Sequence, residues 1–245
     1  MLAIIRTEHL KLKHTFGRKI VVLAPLLTMF IALILSGGIE KAFPAGAYNW
    51  WYTMMLPGML GILCYLIIKK DKKTKYYNIL VLPLLPQKSW IGKIMYCTLG
   101  LVAANLIILT GTFIGGIILG TTITFQAGLY GVLLLSITYL WEIPLLLYLS
   151  ARFGMFASVF TSMVLAISAT VTLADTSLWW VYPPSIPIRL MCPVLKILPN
   201  GLPMPKDSVL ASLSVILPGI LISVLLFLGL LYLTARWFQR MEVKG

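Results

Sequence analysis

Residues able to do bond-making chemistry are few in this chain, and none are grouped. Its two histidines, His9 and His14, both sit in the amino-terminal segment. A zinc hydrolase needs histidines and carboxylates gathered round the metal, usually as HExxH on a helix. A serine hydrolase needs a base beside its nucleophile. No long apolar stretch supplies a histidine for either. Binding ATP through a P-loop needs GxxxxGK[ST], whose amides cradle phosphate while lysine and hydroxyl serve phosphate and magnesium. The one Gly-Lys pair, Gly92-Lys93, is followed by Ile94 and lacks the first glycine. Cys64, Cys97 and Cys192 have neither CxxC nor CxxH spacing, so they read as buried apolar side chains. On this reading the chain is not an enzyme and has no catalytic residue, metal site or cofactor of its own.

Two polar residues lie deep in apolar surroundings. Glu142, in Tyr139-Leu140-Trp141-Glu142-Ile143-Pro144, is the acidic residue well inside a spanning segment. An ionisable group in hydrocarbon is expensive, so its default place is the interior of a helix bundle; the competing reading pairs it with Arg152 or cytoplasmic water. Pro144 weakens the helix there and frees a carbonyl. Asn105 is the other, with interhelical hydrogen bonding or substrate contact as its roles. Gly111–Gly115 and Gly116–Gly120 both satisfy GxxxG, which allows close helix approach.

The elements that must hold these residues follow from composition. Hydrophobic residues make up 60% of the 245 and charged ones 11%, against about 25% charged in a soluble domain. Charges are absent from 20–39, 42–68, 94–141, 153–174 and 208–235. Each window can cross a bilayer, which takes about 20 residues. As one helix, the window from Ile94 to Trp141 would run about 70 Å, so it must hold two, broken near Gly120–Gly128. An all-α, polytopic membrane protein of six transmembrane helices follows, with spans near 20–38, 50–68, 94–118, 128–149, 154–174 and 209–234.

Net charge of +13 would suggest nucleic acid in a soluble protein, but its distribution argues for a membrane. With the amino terminus inside, sixteen of the 20 Lys and Arg fall on cytoplasmic segments, leaving Lys41, Arg189, Lys196 and Lys206 outside. That is the positive-inside pattern, and it places both termini in the cytoplasm of a multi-pass protein of the cell membrane.

Residues 1–19 put Leu2, Ile5, Leu12 and Phe16 on one helical face, giving an amphipathic helix along the inner membrane surface with basic side chains towards lipid phosphates. The longest inner loop, 69–93, combines the Lys69–Lys75 cluster with an apolar run from Ile79 to Leu85 that is too short to cross, broken by Pro83 and Pro86. It reads either as a short helix docked to a partner or as an orientation signal binding anionic headgroups. The outer segment 175–208 carries Trp179, Trp180, Tyr182 and seven prolines. It reads as a structured cap or re-entrant hairpin, able to bind an amphipathic ligand or to anchor at the interface. Residues 239–245 form a cytoplasmic tail.

The opening Arg6-Thr7-Glu8-His9-Leu10-Lys11-Leu12-Lys13 resembles the E-x-x-K entry sequence of ABC-2 type permeases, where an interfacial helix precedes span one. The plan of six spans, an inner loop after span two and an outer proline and aromatic element before span six is similar to that family, of type V exporter-like fold. More narrowly, with Trp141-Glu142-Ile143-Pro144 contributing, it resembles lantibiotic-immunity permeases of the MutE/EpiE/MutG kind from Gram-positive bacteria. The resemblance implies a permease subunit that expels amphipathic antimicrobial peptides, with ATP and Mg on a separate cytosolic ATPase. It also implies a second permease, homologous or a copy of itself. A coupling helix would lie at about Asn78–Lys93, presenting Asn78, Ile79, Leu82, Leu85, Lys88 and Trp90. A non-transporting sensor or anchor for such a peptide is the alternative.

Overall fold

The computed structural model describes every residue except 1, 14, 38, 40, 78–84, 206 and 242–245, and the backbone alone at 2, 3, 171 and 172. The described elements are helical. They are α1 (Leu2–Leu12), α2 (Phe16–Ser36), α3 (Ala42–Lys73), α4 (Pro86–Leu119), α5 (Phe125–Thr138), α6 (Glu142–Phe153), α7 (Met155–Thr172), α8 (Ser185–Leu195) and α9 (Ile216–Gln239). Two short 3-10 turns, Val209–Ala211 and Leu213–Val215, lead into α9.

Among the described residues, four helices are long and apolar enough to cross a membrane: α2, α3, α4 and the Leu213–Gln239 helix that contains α9. A fifth arises if α5 and α6, bent by 46° at their junction, count as one span. α7 is a shorter apolar helix of 18 residues. The expected helix over 128–149 is therefore two helices, and the break has a physical cause. Pro144 has no N–H and its ring crowds the carbonyl of Leu140, so a continuous helix through 139–141 is disfavoured, whereas proline in a first turn is tolerated. Phe16 begins α2 rather than closing the amino-terminal helix, and α3 starts well before residue 50 and continues through the lysines to Lys73.

Helix directions follow from contacts at the two ends. Lys41 N–H donates to the Leu119 carbonyl at 3.3 Å, joining the start of α3 to the end of α4. At the opposite end Lys93 of α4 meets Glu8 of α1 and Asp71 of α3, and Gln87 of α4 donates to Gln239 of α9 at 2.5 Å. Tyr148 of α6 packs on Trp237 of α9 with centroids 4.7 Å apart. α7 then runs back antiparallel to α3. A Cβ added at Gly61 would lie 2.8 Å from Val159 Cα, and one at Gly58 would lie 3.8 Å from Met163 Sδ.

Two glycines end helices by their backbone. Gly37, at φ 53°, closes α2 with its N–H on the Ile34 carbonyl, the usual left-handed helix stop. Gly154, at φ 94°, separates α6 from α7 in a conformation that L side chains rarely adopt.

Inside α3, residues Trp51–Met55 form a π-turn just before Pro57. The Leu56 N–H reaches back to the Trp51 carbonyl, and Pro57 has no N–H to give. The Tyr52 carbonyl is thus left without a donor from its own helix, and the Tyr139 hydroxyl, at the α5–α6 break, donates to it. A buried carbonyl freed in one helix is satisfied from the break in another.

Candidate functional site

The strongest electrostatic feature lies where α1, α3 and α4 meet. Lys93 is fully buried and Glu8 and Asp71 are nearly so. Lys93 Nζ donates to Glu8 Oε1 at 3.0 Å and also to Asp71 Oδ2. Lys11 Nζ completes the square, at 2.8 Å from Glu8 Oε1 and 2.9 Å from Asp71 Oδ1. The Lys70 ammonium donates to the Lys11 carbonyl. Two carboxylates and two ammoniums give no net charge, the condition under which burying them is tolerable. Burial opposes the Lys11 charge, yet Glu8 and Asp71 together hold its pKa above the ordinary lysine value.

The helices approach closely enough for this because Gly92 has no side chain; a Cβ there would run into Ile4 of α1. Glu8 and Lys11, the E-x-x-K pair, thus sit on the protein-facing side of α1 with buried Leu12. Leu10, on another face, is 58% exposed.

Beside the ion square, α9 is fixed to the same region by aromatics. Trp90 donates its indole N–H to Thr234 Oγ1 at 3.0 Å and stacks on Phe238 at 4.7 Å. Tyr76 meets the edge of Phe238 at 5.8 Å. Burial, with the Asp71 carboxylate nearby, raises the Tyr76 phenol pKa, so it stays neutral. Lys75 and Tyr76, at φ 49° and 61°, hold successive left-handed conformations that cost non-glycine residues about 1–2 kcal/mol each.

The segment between α3 and α4 is therefore anchored at both of its ends. Of the coupling residues expected from sequence, Asn78, Ile79 and Leu82 lie outside the described residues. Leu85 and Lys88 are exposed, and Trp90 is buried against α9 rather than facing outward.

The middle of the bundle holds the other two expected residues. Glu142 is buried at the start of α6 and accepts from Ser162 Oγ of α7 at 2.8 Å. Arg152 lies exposed at the far end of α6. Asn105 accepts from Trp51 Nε1 at 2.8 Å and donates to Ser136 Oγ at 2.9 Å, tying α3, α4 and α5 together. Cys64 and Cys97, free and buried, bring their sulfurs to 3.7 Å across α3 and α4.

At the other end, α8 is a buried short helix capped by irregular chain. Trp179 is buried beneath it, its carbonyl accepting from Ser185 Oγ at 2.5 Å, and the Tyr182 hydroxyl meets Ser168 Oγ at 2.8 Å. Trp180 is 53% exposed, so of the three expected ligand-surface aromatics it alone is largely in the open.

A family model described as ABC-2 family transporter protein matches residues 4–177, well over half of the chain. The chain belongs to the ABC-2 transporter family. No curated protein and no solved structure matches it. The ABC-2 match covers α1 to α7, hence every member of the ion square and Glu142, Ser162 and Asn105, and stops before α8 and α9. Membership makes this a membrane-embedded transport component that is not itself catalytic, with a cytosolic ATPase as the partner typical of the family.

The sequence marked Glu8 and Lys11 as an E-x-x-K pair and Lys93 as the end of the coupling segment, but not Asp71, and not that the four charges meet. The available signal was an aspartate inside a lysine run, Lys69-Lys70-Asp71-Lys72-Lys73, and a glutamate in a basic amino-terminal segment.

Proposed function

We propose that this chain is the permease subunit of an exporter whose separate ATPase acts on the inner loop, and that its cargo is an amphipathic antimicrobial peptide of the lantibiotic type. One observation carries the coupling part: the two ends of the segment between α3 and α4 are tied together twice, by the Asp71–Lys93 ion pair and by Phe238, on which both Tyr76 and Trp90 pack. A push on a segment whose ends are held this way is delivered to α1, α3, α4 and α9 together. A free loop would absorb it. Mechanically, the ATPase must bind the permease states differently, or no work is transferred.

Six membrane crossings with both termini in the cytoplasm complete this reading. The start of α2 and the end of α9 lie at one end of the bundle, which supports an even number of traverses. α7, 18 residues antiparallel to α3 and about 27 Å long, would be the sixth. Lys and Arg at that shared end favour the cytoplasmic side. The peptide cargo rests on the resemblance of the whole-chain plan, with residues 141–144 contributing, to lantibiotic-immunity permeases, and a second permease chain would share the work.

The test is release of a lantibiotic such as nisin from cells carrying the ATPase and permeases, against an ATPase-dead control. ATP-dependent release, lost with Leu82→Asp plus Leu85→Asp, supports the reading. Equal release in the control means that the chain senses or sequesters peptide instead. ATP-dependent release that survives the loop substitutions places coupling elsewhere.

A further inference from the structure

The elbow between α1 and α2 leads from a basic rim into an apolar groove. Thr15 N–H and Oγ1 both donate to the Leu12 carbonyl, at 3.0 and 3.1 Å, setting the turn. Beyond it Lys13, Arg18 and Lys19 line a cavity of about 570 Å³ whose floor is Val22 and Leu23. All three are exposed, and no ion pair among the described residues engages them. Leu23 is shared with a second, wholly apolar cavity of about 660 Å³ between α2, α3 and α7.

One wall of that second cavity is a stripe on α2, formed by Phe16, Ile20, Leu23, Leu27 and Phe30. Over fourteen positions it extends about 21 Å, more than half of a hydrocarbon core of about 30 Å. The facing wall is rich in methionine, with Met54, Met55, Met59 and Met163. Methionine is flexible and polarizable and suits an occupant without fixed shape.

We propose that this combined feature is a binding site for one anionic phospholipid, whose phosphate is held by Lys13, Arg18 and Lys19 and whose acyl chain lies in the methionine-lined groove. Charge complementarity decides the occupant. A zwitterionic lipid would leave the three cations less compensated, and a second copy presenting the same face would bring two basic rims together. The lipid would fix the angle between α1, which carries the ion square, and α2, which is otherwise mostly exposed to the membrane.

The test uses the delipidated full-length chain in detergent, titrated with dioleoylphosphatidylglycerol or dioleoylphosphatidylcholine and read by native mass spectrometry. The expected result is a preference for phosphatidylglycerol of about tenfold or more. Lys13→Gln/Arg18→Gln/Lys19→Gln should abolish the preference, while Lys69→Gln/Lys72→Gln/Lys73→Gln keeps it. Leu27→Trp, at a half-exposed groove position, should weaken both dioleoyl lipids and leave dihexanoylphosphatidylglycerol unaffected. A preference that survives the first triple change, or dioleoyl binding untouched by Leu27→Trp, overturns the proposal. So does ready copper-catalysed crosslinking of Leu27→Cys between two copies, which would give the groove to a second chain. Gly58→Leu, which also fills the groove, repeats the acyl arm should Leu27→Trp fold poorly.

Discussion

Lys93 Nζ lies 3.0 Å from Glu8 Oε1, so a fully buried ammonium near the start of α4 is neutralised by a carboxylate from the first helix of the chain. Neither charge could be placed there alone. Lys93 needs Glu8 and Asp71, Asp71 needs Lys11 and Lys93, and Gly92 lets α1 come close enough for all four to meet. The amino-terminal helix is thereby part of the folded bundle, held to α3 and α4 by electrostatics that weaken sharply if one member is lost.

Lys93→Met removes a cation that two carboxylates share. Breaking a buried pair from one side costs about 3–5 kcal/mol, whereas replacing a whole set by apolar groups can be neutral. Thermal unfolding in detergent, followed by tryptophan fluorescence, should show a large drop for Lys93→Met. The drop should be smaller for Glu8→Leu/Lys11→Leu/Asp71→Leu/Lys93→Met together. A single change as mild as the fourfold one would mean that water reaches the square.

The Lys11 pKa is raised, which fixes where the square is sensitive to alkali. A raised folded-state pKa stabilises fully below the unfolded value, about 10.4 for lysine, and is lost as pH rises through the higher folded value. On alkaline titration, docking of α1 should therefore hold from neutral pH upward and fail as pH rises through that raised value. Alkylation of a cysteine introduced at Leu12, buried against the bundle, measures the docking. In Lys11→Met the same cysteine should be reactive at neutral pH.

How much of this was legible in the sequence depends on the range of the interaction. Charge-free windows and the positive-inside bias are local, and they gave a polytopic helical protein and pointed to the inner loop. Asn105 and Glu142 stood out because hydrocarbon makes any polar group conspicuous. Lys93 did not, because it sits among other lysines at a helix entrance, and only tertiary packing separates a buried lysine from a solvated one. The break at 139–141 was hidden in part. Pro144 was visible, but the carbonyl that Tyr139 serves is freed by the π-turn before Pro57 in a different helix.

Tyr139→Phe keeps the ring and deletes the hydroxyl that donates to the Tyr52 carbonyl. That carbonyl has no donor in its own helix, so the loss is an unsatisfied buried acceptor, about 1–3 kcal/mol. Tyr148→Phe, whose ring packs on Trp237 and whose hydroxyl has no such task, is the control and should melt close to the wild type.

Glu142→Gln keeps an acceptor oxygen for Ser162 Oγ, and Glu142→Leu does not. If the residue is interhelical glue, Gln preserves both stability and ATP-driven release, while Leu and Ser162→Ala each lose on the order of 1 kcal/mol, near the value for hydrogen bonds between membrane helices. If the carboxylate itself works during transport, Gln abolishes release while leaving the melting temperature alone. Measuring both quantities on the same preparations separates the two roles.

Gly61 is where α3 and α7 come closest to backbone contact. A methyl group there would stand 2.8 Å from Val159 Cα, and a neighbouring backbone atom cannot swing aside as a side-chain tip can. Ser158 Oγ donates to the Gly61 carbonyl at 3.1 Å and to the Leu146 carbonyl at 3.4 Å, so separating α3 from α7 also strains the attachment of α6. Overpacking of this kind costs about 1–3 kcal/mol, more than the 0.5–1 kcal/mol that alanine gains over glycine within a helix. Gly61→Ala should therefore lower the melting temperature, while Gly229→Ala in α9, with nothing within 4 Å of the added carbon, should leave it unchanged or slightly raised. The sign of the difference between the two variants is the measurement. Equal effects would mean that α3 and α7 have room to part.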